Sequence, residues 1–408
     1  MHITVLKFGG TSVADCKRIE SVATIVQKHI QNNEKVVVVV SAMAGFTNQL
    51  SDYLKAASPH LLSSPEHDVV LSSGEQITAG LMSLALQAKG FSARSFLGSQ
   101  IPIQTTSQFG CAHITNIQTQ GLLDFIQSGG IPVVPGFQGI TTDNTYQQIT
   151  TLGRGGSDTT AVALSSFLNA RDCYIYTDVD GVYSADPRVV NNAFRLPYID
   201  YTTMLSLASK GAKVLHAPCV SWAKESNIQL HILSSFNLEE INQKTIIAEP
   251  DPKYQNPHLS SSITYEMYKT ICCFKMPSTQ SLDILNLWLQ KISHEFKIQF
   301  SDLHIYNDNV SFYFDQEHTQ CVFAQIEKCP YHQNLISDFK LDKKSVILSL
   351  VGPAFEQEKI FHKIKLILDK EQIRFIPLSS NTVEHSISIN YENFIQTINI
   401  LHDQLLLN

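Results

Sequence analysis

The sequence predicts an α/β chain, in which a mostly parallel sheet covered by helices on both faces is followed by two small α+β modules. Three observations carry this expectation. Strand-like β-branched runs alternate with segments of helical period up to about Leu233, the pattern of a parallel sheet with crossover helices. A proline-rich stretch, Pro250–Pro257, then interrupts the alternation and marks a boundary. Beyond it, two segments of about 65 to 70 residues each repeat strand, helix, strand, strand, a size usual for small α+β modules. At 408 residues the chain has room for two or three domains of about 150 residues. The expected division is 1–249, a linker at 250–258, and modules at 259–340 and 341–408.

The elements follow in order. Ile3–Phe8 reads as the first strand, and Ile19, Val22, Ala23, Val26 and Ile30 recur at helical spacing after it. Lys35–Ser41 is a β-branched run of the kind buried on both faces in parallel sheets. Glu75–Lys89 reads as a helix ended by Gly90. Ile131–Pro135 is a short strand, Asp158–Ala170 a helix with Ser157 as N-cap, and Cys173–Thr177 another strand. Gly211–Asn227 reads as helical, with Pro218 kinking or shortening it. In the first small module Thr270–Lys275, Ser281–His294 and Val310–Phe314 read as strand, helix and strand; in the second, Ser345–Val351, Gln357–Lys370 and His385–Asn390 do the same.

Composition narrows the function. Apolar residues make up 43% and charged residues 16%, an ordinary globular balance rather than that of a disordered chain. The formal charge of −7 comes without a long run of one sign, so no basic stripe offers itself to nucleic acid and anions must be met by a few placed cations. The eight cysteines include no C-x-x-C pair, and Cys272 and Cys273 are adjacent, which suits neither a disulfide framework nor a zinc site; reduced thiols and a cytoplasmic location are expected. Met1–Lys7 runs straight into a strand without the features of a leader, and the apolar run Val36–Val40 is far short of the roughly 20 residues that cross a bilayer. No membrane partner is expected.

Three clusters carry candidate chemistry. Lys7–Ser12 joins a strand to a helix, with Gly9 and Gly10 allowing close backbone approach and a lysine beside a helix N-terminus. An anion would fit there; a tight turn with an exposed lysine is the plain alternative. Gly153–Thr160 precedes a helix but satisfies neither G-x-G-x-x-G, because Asp158 takes the last glycine position, nor a P-loop pattern. It leaves Arg154 in flexible backbone and Asp158 in the first helical turn, where it also favours the helix dipole. Tyr176–Arg188 follows a strand and, read plainly, is an acidic surface loop. All three begin at the carboxyl end of a strand, where open α/β sheets bind ligands.

Six blocks resemble the aspartokinases, in the order found in that family: Lys7–Val13, Val40–Thr47, Leu71–Glu75, Gly153–Ala161, Thr177–Arg188 and Lys210–His216. They span roughly the first 216 residues. The resemblance implies an amino-acid kinase-like α/β sandwich over 1–249, and the modules after Pro257 resemble paired ACT domains, with Ser345–Gly352 and Ser379–Ile389 the nearest stretches. It implies ATP-dependent phosphorylation of the L-aspartate side-chain carboxylate, with ATP and Mg²⁺ as cofactors and the metal carried by the nucleotide.

By the same resemblance, Lys7, Asp158 and Lys213 are catalytic. Lys7, Phe8, Gly9, Gly10, Thr177, Asp178, Tyr183, Arg188, Lys213 and Val214 lie on the nucleotide side. Ser41, Thr47, Glu75, Arg154, Gly155, Gly156 and Ser157 hold the amino acid, Arg154 by its carboxylate and Glu75 by its ammonium. A carboxylate nucleophile is ionised near neutral pH and needs no general base. A lysine or threonine effector at the modules and a homodimer or homotetramer are further implications. Two departures stand out: Ala217 separates His216 from Pro218, and Pro353 removes an amide donor from the loop after Val351. Alternatives are another kinase of the superfamily acting on acetylglutamate, glutamate or a nucleoside monophosphate, an inactive amino-acid sensor, and a structural partner subunit.

Overall fold

The computed structural model describes residues 3–57, 64–142, 146–212, 214–237, 243–254, 256–275, 280–296, 298–301, 303–306, 309–327, 340–355 and 360–407. The chain divides into two compact units. The first comprises Met1–Val182, Arg195–Ser209 and Lys213–Gln255; the second comprises Tyr183–Phe194, Lys210–Ala212 and Asn256–Asn408.

In the first unit, β1 (Ile3–Phe8) is flanked by β2 (Lys35–Val40) on one side and β9 (Asp172–Thr177) on the other, both parallel to it. Beyond β2 stand β6 (Ile131–Pro135) and β3 (Ala93–Ser95); beyond β9 stand β11 (Gln229–Ser234), β12 (Thr245–Ala248) and β10 (Tyr198–Asp200). Every pairing in this eight-stranded sheet is parallel except β11 with β12. Alternation along β1 divides its side chains. Leu6 and Phe8 share a core with Val38, Val40 and Val133, with Ile19, Val22 and Val26 of α1 (Cys16–Gln31), and with Ala79, Met82 and Leu86 of α3 (Pro65–Ala88). Lys7, between them, reaches Asp158 of α5 (Gly156–Phe167). Val36–Val40 are all buried, as a run covered on both faces must be.

A second sheet in this unit, in the order β5 (Ile114–Ile117), β4 (Ile103–Thr105), β7 (Gln138–Thr141), β8 (Ile149–Thr151), packs against α3 through β8. By length and composition α3 could cross a bilayer, but it is a layer of this fold, packed on α1, α2 (Phe46–Ala57), β3 and β6 and burying Asp68, Ser72, Glu75 and Thr78.

The second unit is built on one six-stranded antiparallel sheet shared by two modules of the same order, strand-helix-strand-strand-helix. The first runs β13 (Ser262–Lys275), α8 (Gln280–Phe296), β14 (His304–Tyr306), β15 (Asn309–Asp315), α9 (Thr319–Glu327). The second runs β16 (Lys340–Val351), α10 (Ile360–Lys370), β17 (Phe375–Ser380), β18 (Glu384–Asn390), α11 (Phe394–Leu406). The sheet order β14-β15-β13-β16-β18-β17 joins them through the β13–β16 pair. Residues from the middle of the chain complete this unit: Ala185 and Val190 enter the core of the second module, Ser184 Oγ lies 2.8 Å from His402 Nε2, and Lys210 pairs with Glu384 at 3.0 Å.

The α/β class with small C-terminal modules is as expected; several element boundaries differ. α3 starts ten residues before Glu75, because Ser64 caps it and Pro65 suits its first position. Gly74, inside that helix, passes so close to Ala42 that a Cβ there would stand 2.9 Å from the Cβ of Ala42. Ser157 is not the cap of α5; Gly155 is, in the left-handed conformation at φ 73°. No helix runs from Gly211 to Asn227. Gly211, at φ 92°, ends the turn after α6 (Tyr201–Ser209), and α7 (Ala217–Glu225) takes Pro218 into its first turn, where a missing amide costs nothing. β13 begins at Ser262 rather than Thr270. The proline-rich boundary forms short 3-10 turns at Pro252–Tyr254 and Pro257–Ser260, the latter capped by Asn256. Residues 357–359, expected to open the helix of the second module, lie outside the described residues.

One polar ladder crosses the apolar face of the large sheet. Tyr176 hydroxyl and His29 Nε2 are 2.8 Å apart, His29 Nδ1 lies 2.8 Å from Glu34, Tyr174 stacks on His231 at 4.3 Å, and His231 Nε2 lies 2.7 Å from Asp172. Burial holds His231 below its ordinary pKa, against the raising effect of Asp172. The unfolded chain takes this proton near pH 6.5, the folded chain only lower, so the stability involved is full above about pH 6.5 and is lost as pH falls below it. His231→Gln keeps a donor for Asp172 without the titration. Its melting temperature should fall less steeply than the wild type's between about pH 7.5 and about pH 5.5; equal slopes would contradict this.

Candidate active site

The carboxyl ends of β1 and β2, the loop after β8 and the start of α5 enclose a cleft of about 330 Å³. Lys7, 7% exposed, points into it from β1, its Nζ 2.5 Å from Asp158 Oδ1. A lysine so buried needs an anion beside it, and α5 supplies one in its first turn. Gly155 and Gly156 give the cleft its shape at the N-terminus of α5: a Cβ on Gly155 would collide with the His216 ring, and one on Gly156 would stand 2.8 Å from the Phe137 ring. Unpaired first-turn amides of a helix face anions favourably.

Glu75 enters from α3. It is 4% exposed, accepts from the Ala42 amide, and its Oε2 has no hydrogen-bond partner among the described residues. Burial pushes its carboxyl up to about 7, and the backbone amides of Ala42 and of Glu75 itself only partly offset this. Arg154 is exposed on the loop between β8 and α5, and Ser41, Thr47 and Ser157 add hydroxyls to the lining. The cleft therefore holds two cations, a carboxylate paired to one of them, and a buried carboxyl poised near neutrality.

Of the residues expected at a site, Lys7, Gly10, Ser41, Thr47, Glu75, Arg154, Gly155, Gly156, Ser157 and Asp158 line this one cleft. Others do not. Phe8 is buried in the core, stacked on Tyr176 at 4.8 Å. Gly9 spends its amide on the Tyr176 carbonyl at 3.0 Å, which corrects its expected role as a phosphate donor. Thr177 and Asp178 stand at the end of β9, the Thr177 hydroxyl donating to Asp178 at 3.1 Å, and Val214 is in a turn before α7. Tyr183 and Arg188 belong to the second unit, where the Arg188 guanidinium forks onto Asp186 at 3.0 and 2.8 Å and holds that carboxyl low. Lys213 lies outside the described residues.

Sequence reasoning missed Phe137 and Asp68. Phe137 lines the cleft with φ 71°, unusual for a bulky residue, and its one signal is a position just after the strand-ending Pro135 and Gly136. Asp68 is wholly buried behind the cleft and carries no motif at all.

Residues 2–234 match the amino acid kinase family. An aspartokinase of Rickettsia felis is 36% identical over 401 residues, spanning 98% of each chain, and aspartokinase 2 of Bacillus subtilis is 35% identical over 413 residues, spanning 99% of this chain and 97% of that one. This chain belongs to the aspartokinases. Its fold matches the crystal structure of Escherichia coli aspartokinase III in complex with aspartate and ADP, with a TM-score of 0.77 at 24% identity, over 99% of this chain and 100% of the other. Within the family frame, the glycines around the cleft are steric requirements. Gly155→Ala places a Cβ against His216 at a left-handed φ and should cost about 2 kcal/mol. A lowered melting temperature checks this; an unchanged one would contradict the packing.

Proposed function

We propose that this chain transfers the γ-phosphoryl group of ATP to the side-chain carboxylate of L-aspartate, giving 4-phospho-L-aspartate, the first step toward lysine, threonine, methionine and diaminopimelate. The observation that carries the reading is the buried Glu75 oxygen without a partner, in the cleft that also presents Arg154 and the Lys7–Asp158 pair. A free amino acid offers an ammonium to Glu75 and an α-carboxylate to the Arg154 fork. An acetylated amine would leave Glu75 without a counter-ion, which disfavours acetylglutamate. Family membership and the aspartate and ADP bound by the Escherichia coli neighbour support the same substrates.

In this reading the aspartate side-chain carboxylate attacks the γ-phosphorus in line, and the bond to the β-phosphate oxygen breaks. Two anions must meet, so positioning and charge neutralisation do most of the catalysis. Lys7 is held against Asp158, which aims its ammonium at the charge that develops on the transferred group, and Gly10 lets the backbone pass close to the Ala42 carbonyl, 2.9 Å from where a Cβ would stand. By resemblance, Lys213 and Val214 would serve the nucleotide side, Lys213 adding a further cation there. Thr177 and Asp178 belong to the nucleotide side, as do Tyr183 and Arg188 by resemblance. Mg²⁺, carried by the nucleotide, would neutralise phosphate charge, and Asp158, beside Lys7, is the carboxylate that would help to place it. The chain is read as a cytoplasmic homodimer or homotetramer. The lysine complex of the Escherichia coli enzyme supports an amino-acid effector at the second unit. The turn at Pro353–Phe355 offers little to it: Gly352, Ala354 and Phe355 amides are spent on Val383, Ser261 and Gly352, and Pro353 has none.

Hydroxamate formation with Mg-ATP, hydroxylamine and aspartate, beside glutamate and acetylglutamate, tests the reaction, since hydroxylamine traps an acyl phosphate. An aspartate-specific signal is expected, and Lys7→Ala should lower it by roughly a hundredfold or more while its circular dichroism stays that of the wild type. No signal with aspartate would overturn the reading. Because Glu75 titrates at about 7, it is protonated and unable to pair with an ammonium below that pH. The KM for aspartate should therefore fall as pH rises through about 7, and Glu75→Gln should raise KM and flatten the profile.

A further inference from the structure

Asp68 sits in the first turn of α3, seven residues before Glu75, which puts both on one face of the helix two turns apart. Its side chain is fully buried, and it makes three hydrogen bonds to two other segments. Oδ2 accepts from the Thr151 amide at 2.7 Å and from the Gly110 amide at 3.0 Å; Oδ1 accepts from the Thr151 hydroxyl at 2.8 Å, with His67 Nδ1 3.9 Å away. Thr151 ends β8 and stands three residues before Arg154. Gly110 belongs to the loop on which Gly153 rests: a Cβ on Gly153 would come within 3.1 Å of the Gly110 carbonyl.

We propose that Asp68 is a positioning residue for the amino-acid substrate, setting the span between the Glu75 carboxylate and the Arg154 guanidinium by clamping the base of the Arg154 loop to the helix that carries Glu75. The inference rests on the substrate reading above and deepens it. A free amino acid presents its ammonium and α-carboxylate at a fixed separation, so the two groups that receive them must be held at a fixed separation too. Glu75 is on a rigid helix. Arg154 is exposed on a loop with glycines on both sides, at 153 and 155, and such a loop does not hold a guanidinium in place by itself. Of the loop's anchors, Thr151 is the one that α3 grips directly, and it is gripped by a carboxylate shut off from water. Removing that acceptor leaves the buried Thr151 amide and the half-buried Gly110 amide without their partner, and the loop restores the Thr151 hydrogen bond only by moving toward solvent.

The decisive experiment compares steady-state constants of the full-length chain and of Asp68→Ala, Asp68→Asn and Thr151→Val. For Asp68→Ala, a roughly tenfold rise in KM for aspartate is expected, with KM for ATP within about twofold of wild type. Asp68→Asn should rescue most of it, because the amide oxygen accepts both backbone N–H groups and the Thr151 hydroxyl can turn to accept from the new NH₂. Thr151→Val loses one bond of three and should show a smaller rise confined to aspartate. An Asp68→Ala chain that melts lower but keeps the wild-type KM for aspartate overturns the proposal, as does an equal rise in both KM values. Should Asp68→Ala not fold, an unchanged aspartate KM in Thr151→Val overturns it and a selective rise supports it. Wild-type chain that makes no hydroxamate from aspartate would instead remove the substrate reading on which the proposal stands.

Discussion

Burying one lysine at the end of a central strand constrains much of the first unit. Lys7 must stand at the last inward position of β1, because its neighbours Leu6 and Phe8 are committed to the core on the opposite face. An ammonium so enclosed is tolerable only beside an anion, and the nearest is Asp158, presented by the first turn of α5. The pair thus ties the sheet to the helix on its far side. At the start of α5, Gly155 and Gly156 pass so close to His216 and Phe137 that a Cβ on either would have to displace them.

The other wall of the cleft depends on α3, whose composition is misleading by itself. Its length and apolar character would suit a membrane span, yet the face it buries holds Asp68, Ser72, Glu75 and Thr78. The apolar residues serve packing against α1 and the large sheet, while Asp68 reaches the second sheet and Glu75 the cleft. Gly74 lets the helix come to van der Waals contact with Ala42, which brings the Ala42 amide to the Glu75 carboxylate. The carboxyl is left with one oxygen satisfied and one not, and its pKa is raised by burial, which the backbone amides only partly offset. The second unit repeats a module around one sheet, and its second core is completed by Ala185 and Val190, residues far earlier in the chain.

Much of this was legible from local pattern. The strands at Ile3–Phe8 and Ile131–Pro135 coincide with their expected limits, since a β-branched run flanked by turn residues has few alternatives. Ten of the residues singled out for the site line one cleft. What failed did so for physical reasons. The helix expected from Glu75 begins at Pro65, and Gly74 within it, a poor helix former, lies where a Cβ would meet Ala42. Pro218 read as a helix breaker, whereas in a first turn it breaks nothing. The Gly9 amide looked available until its bond to Tyr176 was seen, and Tyr183 and Arg188 follow β9 in sequence but fold with the C-terminal modules.

The sequence by itself determined the alternation of strands and helices, the α/β class with small modules at its C-terminal end, and the grouping of glycines and charged residues at strand ends, because these depend on side-chain period, glycine placement and charge. Tertiary structure alone decided which of those residues share a cleft, which amides are already spent, and that Asp68 exists as a buried hub. Those outcomes turn on contacts between segments dozens of residues apart, as from Asp68 to Thr151, and local propensity carries no record of such distances.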